Sequence, residues 1–121
     1  MGYEIEINVK DAIGKLDKAT EEMKTKISEG TRDAGFYIEG EVKASIAGQR
    51  GEPTSVDTGN FLNSVTTEAE GINTKVYSDV EYAKYLEYGT SRINPRRHFQ
   101  NSLIRNKDKI KEYIAKKIKE I

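Results

Sequence analysis

Val65-Thr66-Thr67-Glu68-Ala69-Glu70-Gly71-Ile72-Asn73-Thr74-Lys75-Val76-Tyr77 sets two short runs on either side of one glycine. Val65, Thr67 and Ala69 share a face of the first run, and Ile72, Thr74 and Val76 share a face of the second. That period of two is the mark of half-buried strands. With Gly71 supplying a tight turn, the pair reads as an antiparallel hairpin over 65–70 and 72–77. Strands linked so closely leave no room for the crossovers of a parallel sheet. The hairpin therefore points to an α+β fold, a small, mostly antiparallel sheet packed against two long helices with one or two short ones.

Toward the N-terminus, Tyr3, Ile5, Ile7 and Val9 alternate with Glu4, Glu6 and Asn8, which predicts a strand over 3–9 at a sheet edge. From Asp11 the period changes. Ile13, Leu16, Met23, Ile27, Ala34, Ile38, Val42 and Ile46 recur at three, four or seven and predict one long helix over about 11–47. Gly30, Gly35 and Gly40 inside it each cost about 1 kcal/mol relative to Ala, so a bend or close packing against a neighbour is expected there. Residues 48–55, Gly-Gln-Arg-Gly-Glu-Pro-Thr-Ser, hold no apolar side chain and predict a mobile loop over 48–56. Asp57 or Thr58 is suited to cap a short helix carrying Phe61 and Val65.

Beyond the hairpin, Val80, Ala83, Tyr85 or Leu86, and Tyr88 outline a short helix ending at Gly89, a residue suited to the positive φ after a helix terminus. Asn94-Pro95 interrupts the chain, and Phe99, Leu103, Ile110, Ile114, Ile118 and Ile121 predict an amphipathic helix over about 96–120. Glu87 falls in the last turn of the short helix, where a carboxylate opposes the macrodipole and calls for a cation. Arg92, Arg96 and Arg97 are the nearest.

The 121 residues are length for one domain over 1–121. Twenty Lys and Arg balance twenty Asp and Glu, so no global field draws the chain to nucleic acid, membrane or an acidic substrate. The balance hides an asymmetry: residues 92–121 carry ten basic residues against Asp108, Glu112 and Glu120, a net +7 that leaves −7 on the rest. Only 36% of the chain is apolar while 33% is charged, which leaves a thin core and surface to spare for assembly. The absence of cysteine removes disulfides, thiolate nucleophiles and Cys-based zinc sites. The apolar runs are too short for a membrane span or a signal-peptide core, so a soluble protein made in the cytoplasm is expected.

No enzyme is indicated. His98 is the one histidine, and beside Arg96 and Arg97 it reads as a solvated or half-packed side chain rather than a base. The serines sit in no G-x-S-x-G setting, no phosphate-binding glycine pattern occurs, and no metal or cofactor is expected. Glu21 with Glu22, and Glu68 with Glu70, read as solubility residues. Tyr82, Tyr85 and Tyr88 follow helical spacing, where an aromatic stripe is usually core or subunit interface and seldom a base-stacking platform. The basic tail leaves a small nucleic-acid-binding protein as a reading of another class.

Val56-Asp57-Thr58-Gly59-Asn60-Phe61-Leu62-Asn63-Ser64-Val65 and Tyr82-Ala83-Lys84-Tyr85-Leu86-Glu87-Tyr88-Gly89-Thr90 resemble the motifs of the head–tail joining and tail-completion (neck) proteins of long-tailed bacteriophages and their prophages. The order resembles that family too: a long first helix, a variable loop, D-T-G-x-L-x-x-S, a hairpin, Y-A-x-x-x-E-x-G-T, then a Pro/Arg-rich turn into a final helix opening with Phe. Phe61 stands where the family usually has leucine, and His98 precedes Phe99 where proline is common. The resemblance marks Asp57, Thr58, Gly59, Phe61, Ser64, Tyr82, Ala83, Glu87, Gly89, Thr90 and Phe99 as motif positions. It implies a non-enzymatic structural protein that forms a ring at the connector–tail interface, with itself and the neighbouring head-connector and tail proteins as partners. A tail-terminator ring is the alternative within that class. The location implied is the virion neck or tail, with the host cytoplasm during assembly. The loop and the arginines that follow the second motif, Gln49, Arg50, Glu52, Thr54, Ser55, Arg92, Arg96 and Arg97, are the candidate protein interface.

Overall fold

The computed structural model describes residues 2–14, 19–55 and 59–121. Three strands, β1 (Tyr3–Ile7), β2 (Thr66–Glu70) and β3 (Asn73–Ser78), form one antiparallel sheet in the order β1-β3-β2. The hairpin stands as its alternation predicts, with Glu70 opposite Asn73 across a two-residue turn and Gly71 at φ +63°. β1 pairs with β3, Ile5 opposite Val76 and Ile7 opposite Thr74, which leaves β1 at an edge. The protein is an α+β fold.

Strand β1 is shorter than the expected 3–9. Asn8 ends it by accepting from the amides of Lys10 (3.0 Å) and Asp11 (3.3 Å) and so caps a short helix, α1 (Val9–Ile13). The expected helix over 11–47 is in fact two. Gly14, at φ +85°, closes α1, and Thr20 caps α2 (Glu21–Ile46) by accepting from Met23 N at 3.1 Å. A cap offers the backbone an alternative to continuing the strand or helix, and an alternation count does not register it. The helix over about 96–120 is likewise divided, into α5 (His98–Arg105) and α6 (Lys107–Ile118). Asn106 breaks it at φ −114°, its side-chain amide donating to Ser102 O at 2.8 Å and to Glu41 on α2 at 3.3 Å.

Helix α2 organises the molecule, packing on the sheet and on α6. Its glycines mark these approaches. A Cβ at Gly35 would lie 2.5 Å from Thr74 Cγ2 and 2.8 Å from Thr67 Cγ2, while one at Gly30 would lie 2.8 Å from Ile114 Cα on α6. Close packing, the second of the two expectations for these glycines, explains both; Gly40 has open space. The core joins Ile5, Ile7 and Val76 of the sheet to Ile27, Ile38, Val42 and Ile46 of α2 and to Ile110 and Ile114 of α6. Phe61 on α3 (Asn60–Ser64) and Phe99 on α5 close its far end.

Candidate functional site

The second motif builds the junction between α4 (Ala83–Tyr88) and α5. Ala83 is fully buried, and one turn on Glu87 is buried as well. Gly89 leaves the helix at φ +80° in a place where a Cβ would meet Ile93 O and Pro95 N at 2.7 Å. Thr90 holds the following turn, its hydroxyl accepting from the amides of Arg92 (3.1 Å) and Ile93 (3.2 Å). The chain then returns along α4, Arg96 N donating to Leu86 O at 2.8 Å, and enters α5 through Arg97 in the left-handed conformation (φ +53°, ψ +39°).

Glu87 does not meet the arginines expected for it. Among the described residues its printed hydrogen bonds come from the start of α5: Oε1 accepts from Phe99 N at 3.0 Å and Oε2 from Gln100 N at 2.8 Å. These are free donors of a helix's first turn, where the dipole also favours an anion. Burial pushes its pKa up, while the two amides and the more distant charge of Arg97 favour the ionised form. Tyr3 lies beside this junction, edge-on to both Tyr88 and Phe99, its hydroxyl accepting from the Gln100 side chain at 2.7 Å. Its pKa is raised to about 12, chiefly by burial.

His98 is fully buried, which overturns the solvated or half-packed reading. Its ring links α2, the 48–55 loop and α5. Nδ1 lies 2.8 Å from Ser45 Oγ and Nε2 lies 2.7 Å from Ser55 Oγ. Ser45 Oγ is also 2.5 Å from Glu52 Oε1, and an ionised carboxylate only accepts. Ser45 therefore gives its proton to Glu52 and accepts from His98 Nδ1–H, which leaves Nε2 to accept from Ser55. Ser55 in turn accepts from Arg96 Nη1 at 2.8 Å. Burial pushes the imidazole pKa down to about 4; the charge of Glu52 opposes this and that of Arg96 adds to it.

Glu52 anchors the loop from its other side. Arg105 donates to both of its oxygens (2.6 and 3.1 Å) and Asn101 to one (3.1 Å). Burial would raise this carboxyl, but the hydrogen bonds from Arg105, Ser45 and Asn101 outweigh it and hold the pKa at about 2. Further along, Ser55 N and Thr54 Oγ1 donate to Ile46 O at 2.7 and 3.1 Å, and Arg96 donates to Thr54 O. The loop that lacks apolar anchors is thus tied down by polar ones, and Glu52, Ser55 and Arg96 are used inside the chain. Arg50 binds Glu41 at 2.9 Å. Of the candidate interface, Gln49, Arg92 and Thr54 keep exposed surface, and Arg97 caps α5.

Asp57 and Thr58 lie outside the described residues. The N-cap of α3 is Gly59, in the left-handed conformation at φ +85°, and it has no side chain to cap with. Phe61 is buried against His98 and Phe99. Ser64 Oγ donates to Phe61 O and accepts from Ser78 Oγ, both at 2.6 Å, pinning α3 to the end of β3. The tyrosines of α4 are not core: Tyr82, Tyr85 and Tyr88 are 44%, 50% and 66% exposed. The residues that sequence reasoning missed are Ser45, Asn101, Arg105, Tyr3 and Gln100. They meet their partners across 49 to 97 positions, a separation at which no spacing pattern gives a signal.

Among the described residues no group of three or more His, Asp or Glu side chains could hold a metal ion, and no helix is long and apolar enough to cross a membrane. The site is a scaffold of hydrogen bonds that presents an aromatic helix face. Residues 10–89, well over half of the chain, match a protein family described as "Bacteriophage HK97-gp10, putative tail-component". The chain belongs to this HK97-gp10-like family of phage tail components. No curated protein and no solved structure matches it.

Proposed function

We propose that the chain is a head–tail joining (neck) or tail-completion protein that assembles into a ring at the connector–tail interface and acts without catalysis. The observation that carries this reading is the division of labour on α4. Its inner face, Ala83 and Glu87, is locked to the body, while Tyr82, Tyr85 and Tyr88 project outward. Tyrosine is enriched at protein interfaces because it combines a large apolar ring with a polar tip, and three in a row on a rigid helix cost little ordering entropy on binding. The motif residues thus hold in place a surface made for another protein. The family's standing as a phage tail component makes that partner a virion protein or a further copy of the chain.

Tyr85 is the side chain to test, since Lys84 over its ring at 5.4 Å is its one printed aromatic contact. In the phage that encodes this chain, Tyr85→Ser should leave the protein folded and abundant while filled heads and free tails accumulate unjoined. Tyr85→Phe should join them normally. Fully infectious particles from Tyr85→Ser, or labelled protein located away from the neck, would overturn the proposal.

A further inference from the structure

The sheet has one face on α2 and one in water. Register places Glu4, Tyr77 and Thr66 in one row of the outer face and Glu6, Lys75 and Glu68 in the next, with Glu70 opposite Asn73 beyond. Glu4, Glu6, Thr66, Glu68 and Glu70 are exposed, so this face carries four carboxylates against Lys75 alone, a net −3.

Helix α6 lies on the other side of α2. Gly35 meets the sheet and Gly30 meets α6. Five residues turn a helix through about 140° beyond a full revolution, so the two contacts are on nearly opposite sides of α2. The layers therefore run sheet, α2, α6, and the outer faces of sheet and α6 point away from each other. Residues 107–120 hold six lysines against Asp108, Glu112 and Glu120, a net +3. Glu120 is already paired with Lys26 at 3.2 Å, while Lys111 and Lys116 are exposed and appear in no printed ion pair.

Two unpartnered faces of opposite charge on opposite sides of one chain are what a head-to-tail contact requires. Their dimensions agree as well. The 12 residues of α6 span about 18 Å, and strands of five or six residues span about 17–20 Å. We infer that the outer face of the sheet of one copy receives the outer face of α6 of the next, Glu4 and Glu70 lying in the acidic surface and Lys111 and Lys116 in the basic one. The inference rests on the ring reading above and names its subunit contact. The sheet face offers only about 250 Å², well under the about 800 Å² per partner of a standard stable complex, so one such contact is weak. Closing a ring makes the last contact intramolecular and supplies the remainder.

Sedimentation of the full chain with two reversed variants tests this. Glu4→Lys with Glu70→Lys makes both faces basic; the partners of these residues across the sheet, Tyr77 and Asn73, carry no like charge. Lys111→Glu with Lys116→Glu makes both faces acidic. At low salt the wild type should self-associate with rising concentration, and salt of about 0.5 M should weaken that association about tenfold or more. Each variant alone should lose the association. An equimolar mixture of the two should regain it, because the basic sheet face of one then meets the acidic helix face of the other. A wild type that stays monomeric at low salt, a variant that associates like the wild type, or a mixture that regains nothing overturns the contact. Rings whose stability ignores all four substitutions refute this contact and leave the ring reading standing. Heads joined to tails in particles lacking the chain would sink the ring reading itself.

Discussion

The carboxylate of Glu87 and the backbone amide of Phe99, 3.0 Å apart and 12 positions distant in the chain, join the last turn of α4 to the first turn of α5. The same carboxylate takes the Gln100 amide, so a side chain poorly placed in its own helix completes the next one. Burial and the adverse dipole of α4 are offset by two charge-assisted hydrogen bonds and the favourable dipole of α5.

Removing that carboxylate leaves buried amides unpaired. Glu87→Ala should cost about 2–4 kcal/mol in denaturant unfolding, and Glu87→Gln, which keeps one acceptor, about half of that. Because the folded pKa lies above the ordinary 4.5, the folded protein holds this proton more tightly than the unfolded chain. The wild type should therefore lose stability as pH rises from about 4.5 through the raised value, and Glu87→Gln should lack that descent. A Gln variant with an unchanged pH profile would contradict the assignment.

His98 gives a dependence of the opposite sign. Its pKa falls from 6.5 in the unfolded chain to about 4 when folded, so between those values the unfolded chain binds the extra proton. Stability should drop as pH falls through this window, by on the order of 3 kcal/mol at about 1.4 kcal/mol per unit. His98→Gln should flatten the slope while lowering stability at pH 7. Nitrogen NMR at neutral pH should report a neutral ring protonated on Nδ1, and a proton on Nε2 would refute the direction of the Ser45 and Ser55 hydrogen bonds.

The 48–56 loop was expected to be mobile because it lacks apolar anchors, yet Glu52 ties it to Ser45, Asn101 and Arg105. Amide exchange in the dilute wild type should find Ser55, which donates to Ile46 O at 2.7 Å, protected, and Gly51 fast. Glu52→Gln should weaken the protein at pH 7 by about 1–3 kcal/mol and release Ser55. The carboxyl's pKa of about 2 lies below its ordinary 4.5, so its stabilisation is present above 4.5 and lost as pH falls through about 2. The deficit of Glu52→Gln should fade over that range. Rapid exchange of Ser55 in the wild type would restore the mobile-loop expectation.

Two glycines of α2 should respond in opposite directions. Gly35→Ala drives a methyl into Thr74 and Thr67 and should cost about 1–3 kcal/mol. Gly40→Ala meets nothing within 4 Å and should gain about 0.5–1 kcal/mol from helix propensity and reduced unfolded-state entropy. Equal effects from the two would refute the packing of α2 on the sheet.

Periodicity alone made the α+β class legible. The hairpin about Gly71, the edge strand from Tyr3 and the stripe from Met23 to Ile46 each follow from which face must be dry, a property of neighbouring residues. Gly89 was legible for a similar reason, because a helix exit at positive φ is a local requirement. The helix breaks were not. Asn8, Thr20 and Asn106 interrupt apolar stripes by hydrogen-bonding the backbone, and the stripe continues across them because both segments face the same core. The pairings of charged and polar groups were least legible of all. Arg96, a sequence neighbour of Glu87, went instead to Thr54 and Ser55, and Glu87 went to backbone amides that any residues at 99 and 100 would supply. Burial of apolar side chains is non-directional and leaves its trace in spacing. A hydrogen bond depends on where two distant segments arrive and how they are turned, so only the packing of α2, α4 and α5 together decided that His98 would be buried and Tyr85 exposed.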